Sequence, residues 1–298
     1  MGRKIEIVEV GPRDGFQNLC DYIPAEEKLR FIDGLVNAGI THIQVTSFVS
    51  PKAIPQMRDA TEVAREALAR HPGLDFFALV PNLRGAQAAW EAGLKKVSNV
   101  ISLSESHNKA NIRKTHEESF AELDKILQAL PDLEVSVDVA TAFGCPFEGK
   151  IPTERLLDFL DVLYKKGIRE FTLCDTTGMA NPAQVREVVS KVREAFPDAT
   201  FEAHIHDTRN MGMVNTLAAI EAGIDKVQST LGGLGGCPFA PGASGNTSTE
   251  DLVNMLNEMG FETGVDVEKL VGLAREEKEK IPGIYSGHLL NIPVPAQA

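Results

Sequence analysis

The tripeptide AGI at 38–40 returns as AGL at 92–94, KGI at 166–168 and AGI at 222–224. Each copy closes an amphipathic stretch and opens a run of β-branched and apolar residues, so each reads as a helix stop followed by a strand start. Around these signals the chain alternates between short apolar runs and longer stretches of helical period. Strand character is found at 5–10, 41–47, 75–81, 96–103, 133–140, 169–175, 200–207 and 225–231. Helical patterns follow near 24–38, 55–70, 83–93, 117–130, 152–166, 181–195, 211–222 and 249–260. Their punctuation agrees: IPAEEK, IPTER and NPAQ place Pro in a first turn, and Gly39, Gly93, Gly167 and Gly223 stand just past helix ends. Eight such units within about 250 residues match a closed TIM (β/α)8 barrel. A doubly wound open sheet usually has fewer strands and a glycine-rich dinucleotide turn after its first, and no such turn follows 5–10. The pattern predicts one catalytic domain over 1–298, an α/β barrel over about 4–262 and a short C-terminal helical extension over about 263–298, with a helix at 266–279.

Charge and cysteine usage narrow the function classes. Thirty Lys and Arg against 42 Asp and Glu give a net charge of −12, which argues against nucleic acid or an anionic membrane as the main partner. MGRKIEIVEV enters strand alternation with no signal-peptide pattern, and no apolar run has membrane-spanning length, so a soluble cytoplasmic protein is expected. Cys20, Cys145, Cys174 and Cys237 lie far apart without a CxxC pair, which predicts free thiols.

In a TIM barrel the chemistry sits at the C-terminal ends of the strands. The unusual polar residues of this chain fall there. The first strand runs into GPRDGFQN, the second carries Gln44, the sixth ends in Asp175, the seventh carries His204 and His206, and the eighth opens into GGLGGCPFAPGASGN. Residues two apart on a strand share a side, so both imidazoles can reach one point. The alternative for an isolated HxH is a pair of satisfied core histidines; Asp14 at the matching end of the first strand favours a metal. Two imidazoles, a carboxylate and amide or water oxygens suit an octahedral divalent ion, Mg²⁺ or Mn²⁺ before a thiolate-bound zinc. Arg13, beside Asp14, suits a carbonyl oxygen that gains negative charge; its structural alternative is a salt bridge to a barrel carboxylate such as Asp175, and both roles can hold together. Asp175 is expected either in the site or as a cap of the next helix. Cys145 and Cys174 read as core or loop thiols.

GPRDGFQN, TSFVSPKAIPQM, FGCPFEGK, CDTTG, HIHDT and GLGGCPFAPGASGNTSTEDLV, in this order, closely resemble the 3-hydroxy-3-methylglutaryl-CoA lyase family of metal-dependent TIM-barrel lyases and Claisen-condensing enzymes. The resemblance runs from about residue 5 to residue 270. It implies a divalent metal held by Asp14, His204, His206 and Asn246, Arg13 near the thioester carbonyl, and a functional cysteine, Cys237, in the glycine-rich loop. The implied reaction is retro-Claisen cleavage of a 3-hydroxyacyl-CoA to acetyl-CoA and a ketoacid, within acyl-CoA metabolism such as leucine degradation. An acyl-CoA partner and a homodimer follow from the same resemblance, and Lys109, Arg113 and Lys114 are expected either to contact the CoA phosphates or to be simply solvated. Arg13, Cys237 and Asp175 are the expected catalytic residues, with Arg13 and Gln44 contacting substrate.

The departures are as specific. Gln44 replaces the family's usual Glu, Leu19-Cys20 replaces Glu-Lys, Arg209-Asn210-Met211 replaces Tyr-Gly-Gln, and Gln228 stands where an Asp is usual. They predict retained cleavage of an acyl substrate that is not, or not chiefly, the methylglutaryl thioester. Three rival readings are an acetyl-CoA-dependent condensing enzyme similar to isopropylmalate or citramalate synthases, a non-catalytic CoA- or metal-binding protein, and a ketoacid aldolase without CoA. The glycines at 232, 233, 235 and 236 predict a hinged lid at the barrel mouth, anchored at its far end by Asn246.

Overall fold

Alternation decides the barrel wall. Residues such as Ile43, Val45, Val97, Val137, Val139, Phe171 and Leu173 point outward and form the continuous core beneath the helices. In the computed structural model, which describes residues 2–236 and 245–293, eight parallel strands pair in sequence order and the last returns to the first. They are β1 (Glu6–Glu9), β2 (His42–Ser47), β3 (Asp75–Leu79), β4 (Lys96–Ser102), β5 (Glu134–Ala140), β6 (Glu170–Asp175), β7 (Thr200–Ile205) and β8 (Lys226–Ser229). The helices are α1 (Ala25–Asn37), α2 (Ala60–Arg70), α3 (Leu83–Glu91), α4 (Glu105–Ile112), α5 (His116–Ala129), α6 (Thr153–Lys165), α7 (Pro182–Ala195), α8 (Gly212–Glu221), α9 (Thr249–Glu258) and α10 (Val267–Lys280). Among the described residues no helix is long and apolar enough to cross a membrane.

The expected barrel is therefore present, with two local differences. Strands end earlier than the apolar runs: β8 stops at Ser229 and β7 at Ile205, because the chain leaves the ladder to build the loops at the mouth. Helix α4 falls in the segment expected to be only a basic connection. It has no apolar stripe to announce it; Ser104 caps it by accepting from the His107 N–H, left-handed Arg113 ends it, and its buried residues are the polar His107 and Asn108.

The inward register is unusually polar for a barrel whose interior is ordinarily filled by bulky aliphatics. Gln44, Ser98, Ser136, Thr172, Glu202 and Gln228 are all buried, while Val8, Val10 and Phe77 form a small apolar cluster inside and Leu79 and Val100 face the cavity. At the base Lys96 pairs with Glu170 at 2.8 Å and Lys226 lies 4.0 Å from both Glu6 and Glu202. His42 approaches Glu6 at 3.0 Å and Asp75 at 3.3 Å. The Glu6, His42 and Asp75 group has the composition of a metal site, yet the neighbouring ammonium groups make it part of an ion-pair ring.

The C-terminal extension is built into the mouth. Helix α10 packs against α1 and α9. Beyond it, the Ser286 and Gly287 N–H groups both donate to Gly232 O, and Ser286 Oγ donates to the Asn246 carbonyl at 3.2 Å.

Candidate active site

Directly after β1 the sequence GPRDG winds as one π-helical turn, Gly11–Gly15, with the Asp14 N–H donating to Val10 O at 2.7 Å. A Cβ at Gly11 would lie 2.6 Å from Glu9 Oε1, so only glycine lets this turn sit so close to the wall. The turn delivers Arg13 and Asp14 side by side to the mouth, both buried.

Strand β7 delivers the histidines. His204 and His206 bring their Nε2 atoms to 3.1 Å from one another, and His204 Nε2 lies 3.9 Å from Asp14 Oδ2. His206 has left the ladder but is held by an isolated bridge to Asn246, whose side-chain amide donates to Asp14 Oδ2 at 2.8 Å. The four expected ligands thus converge. The donor set fits a divalent ion on two observations. Ligand atoms of Asp14, His204 and His206 all lie within 4.8 Å of one another. Two imidazole nitrogens also face each other in a space where only one can carry a proton between them, an arrangement that a cation accepting both lone pairs satisfies.

Protonation favours the same use. Burial would raise the Asp14 carboxyl, but Arg13, the two imidazoles and the Asn246 amide outweigh it and hold the pKa down to about 2. Burial, reinforced by His204, holds the His206 pKa down to about 3, so its ring is neutral and offers a lone pair near pH 7.

Arg13 is oriented from two sides. Its Nη1 donates to Asp14 Oδ1, and its Nε donates to Gln44 Oε1. Gln44 in turn donates to Ser98 Oγ at 2.9 Å. Arg13 therefore makes the expected salt bridge to a barrel carboxylate, with Asp14 and not Asp175 as the partner, and also bonds Gln44. Gln44, expected at the substrate, is buried behind Arg13 and is absent from the cavity wall; it reaches the site through the guanidinium.

These groups open on a cavity of about 440 Å³ whose wall includes Arg13, Asp14, His204, His206, Asp138 and Cys174. Asp175 is not on it. Both its oxygens accept loop backbone N–H groups, from Met179 at 2.8 Å and Ala180 at 3.0 Å, while the next helix is capped by Asn181, so Asp175 neither lines the cavity nor caps α7. Burial pushes its carboxyl up to about 6 against those two amides and Arg209. Arg209 also points away, donating to the Thr177 and Gly178 carbonyls. Lys109 pairs with Glu105 at 2.8 Å and Lys114 reaches Pro81 O at 3.3 Å. Neither these lysines nor Arg113 line the cavity, although Asn111 and Ile112 of α4 do.

The glycine-rich stretch divides differently from the expected lid. Gly232 and Gly233 do adopt positive φ, +66° and +65°, but they are buried and pinned. Leu231 N donates to Glu9 Oε1 at 3.0 Å, Gly232 N to Glu250 Oε2 at 2.9 Å, and Thr230 Oγ1 to Leu234 O at 2.8 Å. The hinge freedom that glycine permits is thus removed at 232 and 233 by these bonds. The far end is held by Asp207 N donating to Gly245 O at 2.7 Å and by Asn246 donating to Asp14 Oδ2 at 2.8 Å. Cys237 lies outside the described residues.

With this geometry in place, residues 4–276 match the HMGL-like family. The chain belongs to the HMGL-like family. It is 42% identical to a hydroxymethylglutaryl-CoA lyase of Bacillus subtilis over 281 residues, 94% of each protein. It is 43% identical to the human mitochondrial hydroxymethylglutaryl-CoA lyase over 271 residues, 90% of this chain and 83% of that one. Among solved structures, an HMG-CoA lyase of Acinetobacter baumannii in complex with coenzyme A and 3-methylmalate superposes with a TM-score of 0.92 at 42% identity, covering 98% of both chains. The eight-stranded barrel is thus the architecture of this family's lyases. The residue that sequence reasoning missed is Asp138: the alternation of EVSVDVA already places it on the inward face of β5, beside the residues that were singled out.

Proposed function

We propose that the protein is a divalent-metal-dependent carbon–carbon lyase that cleaves a 3-hydroxyacyl-CoA, such as 3-hydroxy-3-methylglutaryl-CoA, to acetyl-CoA and a ketoacid such as acetoacetate. The observation that carries this reading is the convergence of Asp14, His204 and His206 beside Arg13 on one cavity at the barrel mouth, in a chain whose relatives are named for that reaction. Asp14, His204, His206 and Asn246 would hold Mg²⁺ or Mn²⁺. A bound ion of this kind supplies Lewis acidity toward the substrate's hydroxyl and nascent ketone oxygen.

The chain's own residues supply the rest. Among the described residues Arg13 Nη2 makes no hydrogen bond, since only Nε and Nη1 are engaged. It is the donor available to a thioester oxygen that becomes an enolate as C2–C3 breaks. Because Gln44 is neutral, Arg13 has one carboxylate partner in place of two and keeps more of its charge for the enolate. Gln228 orients His204, and Asn246 orients Asp14. Cys237 is assigned as the acid that protonates the enolate, on the resemblance of its loop.

Purified protein with Mg²⁺ or Mn²⁺ is to be assayed against a panel of 3-hydroxyacyl-CoA thioesters for acetyl-CoA and ketoacid release. Metal-dependent cleavage is expected, and the ranking of the methylglutaryl thioester decides whether Gln44 and Gln228 have shifted the substrate. Failure to cleave any thioester, with CoA released from acetyl-CoA plus a ketoacid instead, would replace the lyase by a condensing enzyme.

A further inference from the structure

Asp138 stands on β5 in the inward register, paired across the ladder with Val100 on β4 and Thr172 on β6. It is 6% exposed, lines the cavity that holds Arg13, Asp14, His204 and His206, and its Oδ1 is enclosed without a hydrogen-bond partner. Among the described residues it forms no ion pair. Cys174, next to it on the cavity wall, has its thiol pushed up by burial and then by the Asp138 charge.

The other carboxylates around the mouth are engaged. Asp14 accepts from Arg13 and Gln17 on Oδ1 and from Asn246 on Oδ2. Asp175 accepts two backbone N–H groups. Glu148 accepts from Ser104, Ser106 and Arg155. Glu202, at the base of the barrel, accepts from Gln228. Gln44 is an amide and takes no proton at neutral pH. Asp138 is also not one of the three residues whose ligand atoms cluster within 4.8 Å, although it lines the same cavity.

A buried acceptor left without a donor is costly, and in a native protein such a group calls for a partner that arrives with function. Resting on the retro-Claisen reading, the partner can be identified by chemistry. Within the acyl portion the thioester and any terminal carboxylate offer only acceptors, so the 3-hydroxyl is the donor that the acyl portion of every such substrate brings. We infer that Asp138 is the catalytic base of the cleavage, accepting a hydrogen bond from the substrate's 3-hydroxyl and taking its proton. The O–H electrons then form the C3=O double bond, the C2–C3 pair passes to the thioester as an enolate, and the enolate takes its proton from a separate acid. Asp138 thus provides the proton acceptor that the neutral Gln44 cannot be.

The test separates this step from the rest of the reaction. Enolisation of acetyl-CoA, read as deuterium exchange at its methyl carbon in D₂O, needs Arg13 and the enolate acid but no hydroxyl proton. In metal-loaded full-length protein, Asp138→Asn is expected to lower kcat for cleavage by about 10²- to 10⁴-fold, with KM and acetyl-CoA exchange within about fivefold of wild type. Asp138→Glu, which keeps the carboxylate, is expected to recover part of the lost kcat. Cleavage by Asp138→Asn within about fivefold of wild type would overturn the inference while leaving the lyase reading intact, as would parallel loss of exchange and cleavage. Wild-type protein that neither cleaves nor exchanges would overturn the lyase reading itself, and this role with it.

Discussion

Gln228 Oε1 lies 3.0 Å from Nδ1 of His204, while the nitrogen of the same amide donates to Glu202 at 2.8 Å and Thr172 at 3.2 Å. With both amide ends committed, His204 Nδ1 must be the donor, which leaves the Nε2 lone pair facing Asp14 and His206. A glutamine here performs the orienting task of a carboxylate without adding a charge beside buried Glu202. Gln228→Met is expected to weaken Mn²⁺ binding by about 10- to 100-fold in calorimetric titration. Unchanged affinity would show that His204 is oriented by other means.

Arg13 contacts Gln44, Asp14 and the cavity through different nitrogens of one planar group. A lysine has a single nitrogen and cannot span the three. Arg13→Lys is therefore expected to lower kcat by about 10²- to 10³-fold with metal affinity nearly unchanged. Steady-state kinetics beside a Mn²⁺ titration checks the split, and equal losses in both would assign Arg13 to holding Asp14 only.

Three buried carboxyls meet where α10 covers the turn after β8. Burial raises Glu9 and Glu250 each to about 7 from an ordinary 4.5, and Glu277 is raised by burial and then by the charges of those two. The native state therefore binds more protons than the unfolded chain, so stability falls as pH rises from about 4.5 through about 7. Glu277→Met removes one of the three and is expected to stabilise the metal-free protein by about 1–3 kcal/mol at pH 8, and by much less near pH 4.5. Calorimetric unfolding with a chelator at both pH values measures this; equal gains at both would remove ionisation as the cause.

Gly232 has φ +66°, and a Cβ there would lie 2.6 Å from Cδ1 of Tyr285. Gly232→Ala adds left-handed strain to a collision with a ring that the C-terminal extension holds in place. A loss of about 2 kcal/mol is expected from the urea midpoint. A loss below about 0.5 kcal/mol would show that residues 281–293 yield readily.

The barrel was readable along the chain because its signals are local. Period-two runs such as EVSVDVA and helix stops such as AGI state which face is buried and where a helix ends, whatever surrounds them. The same periodicity places His204 and His206 on one side of β7, and it carried Asp138 too, although nothing in a single strand says that its carboxyl would find no donor. Helix α4 was silent because its buried residues are polar. What the tertiary structure alone decided is how residues distant in sequence divide the polar groups among themselves. Asp175 is taken up by the amides of Met179 and Ala180, Gln44 by Arg13 and Ser98, and the first glycines after β8 by Glu9, Glu250 and the chain at 286–287. A residue's type limits which bonds it can make, but its partners are chosen by closure of the barrel, which brings the first strand against the eighth and sets Asp14 beside Asn246, 232 positions away.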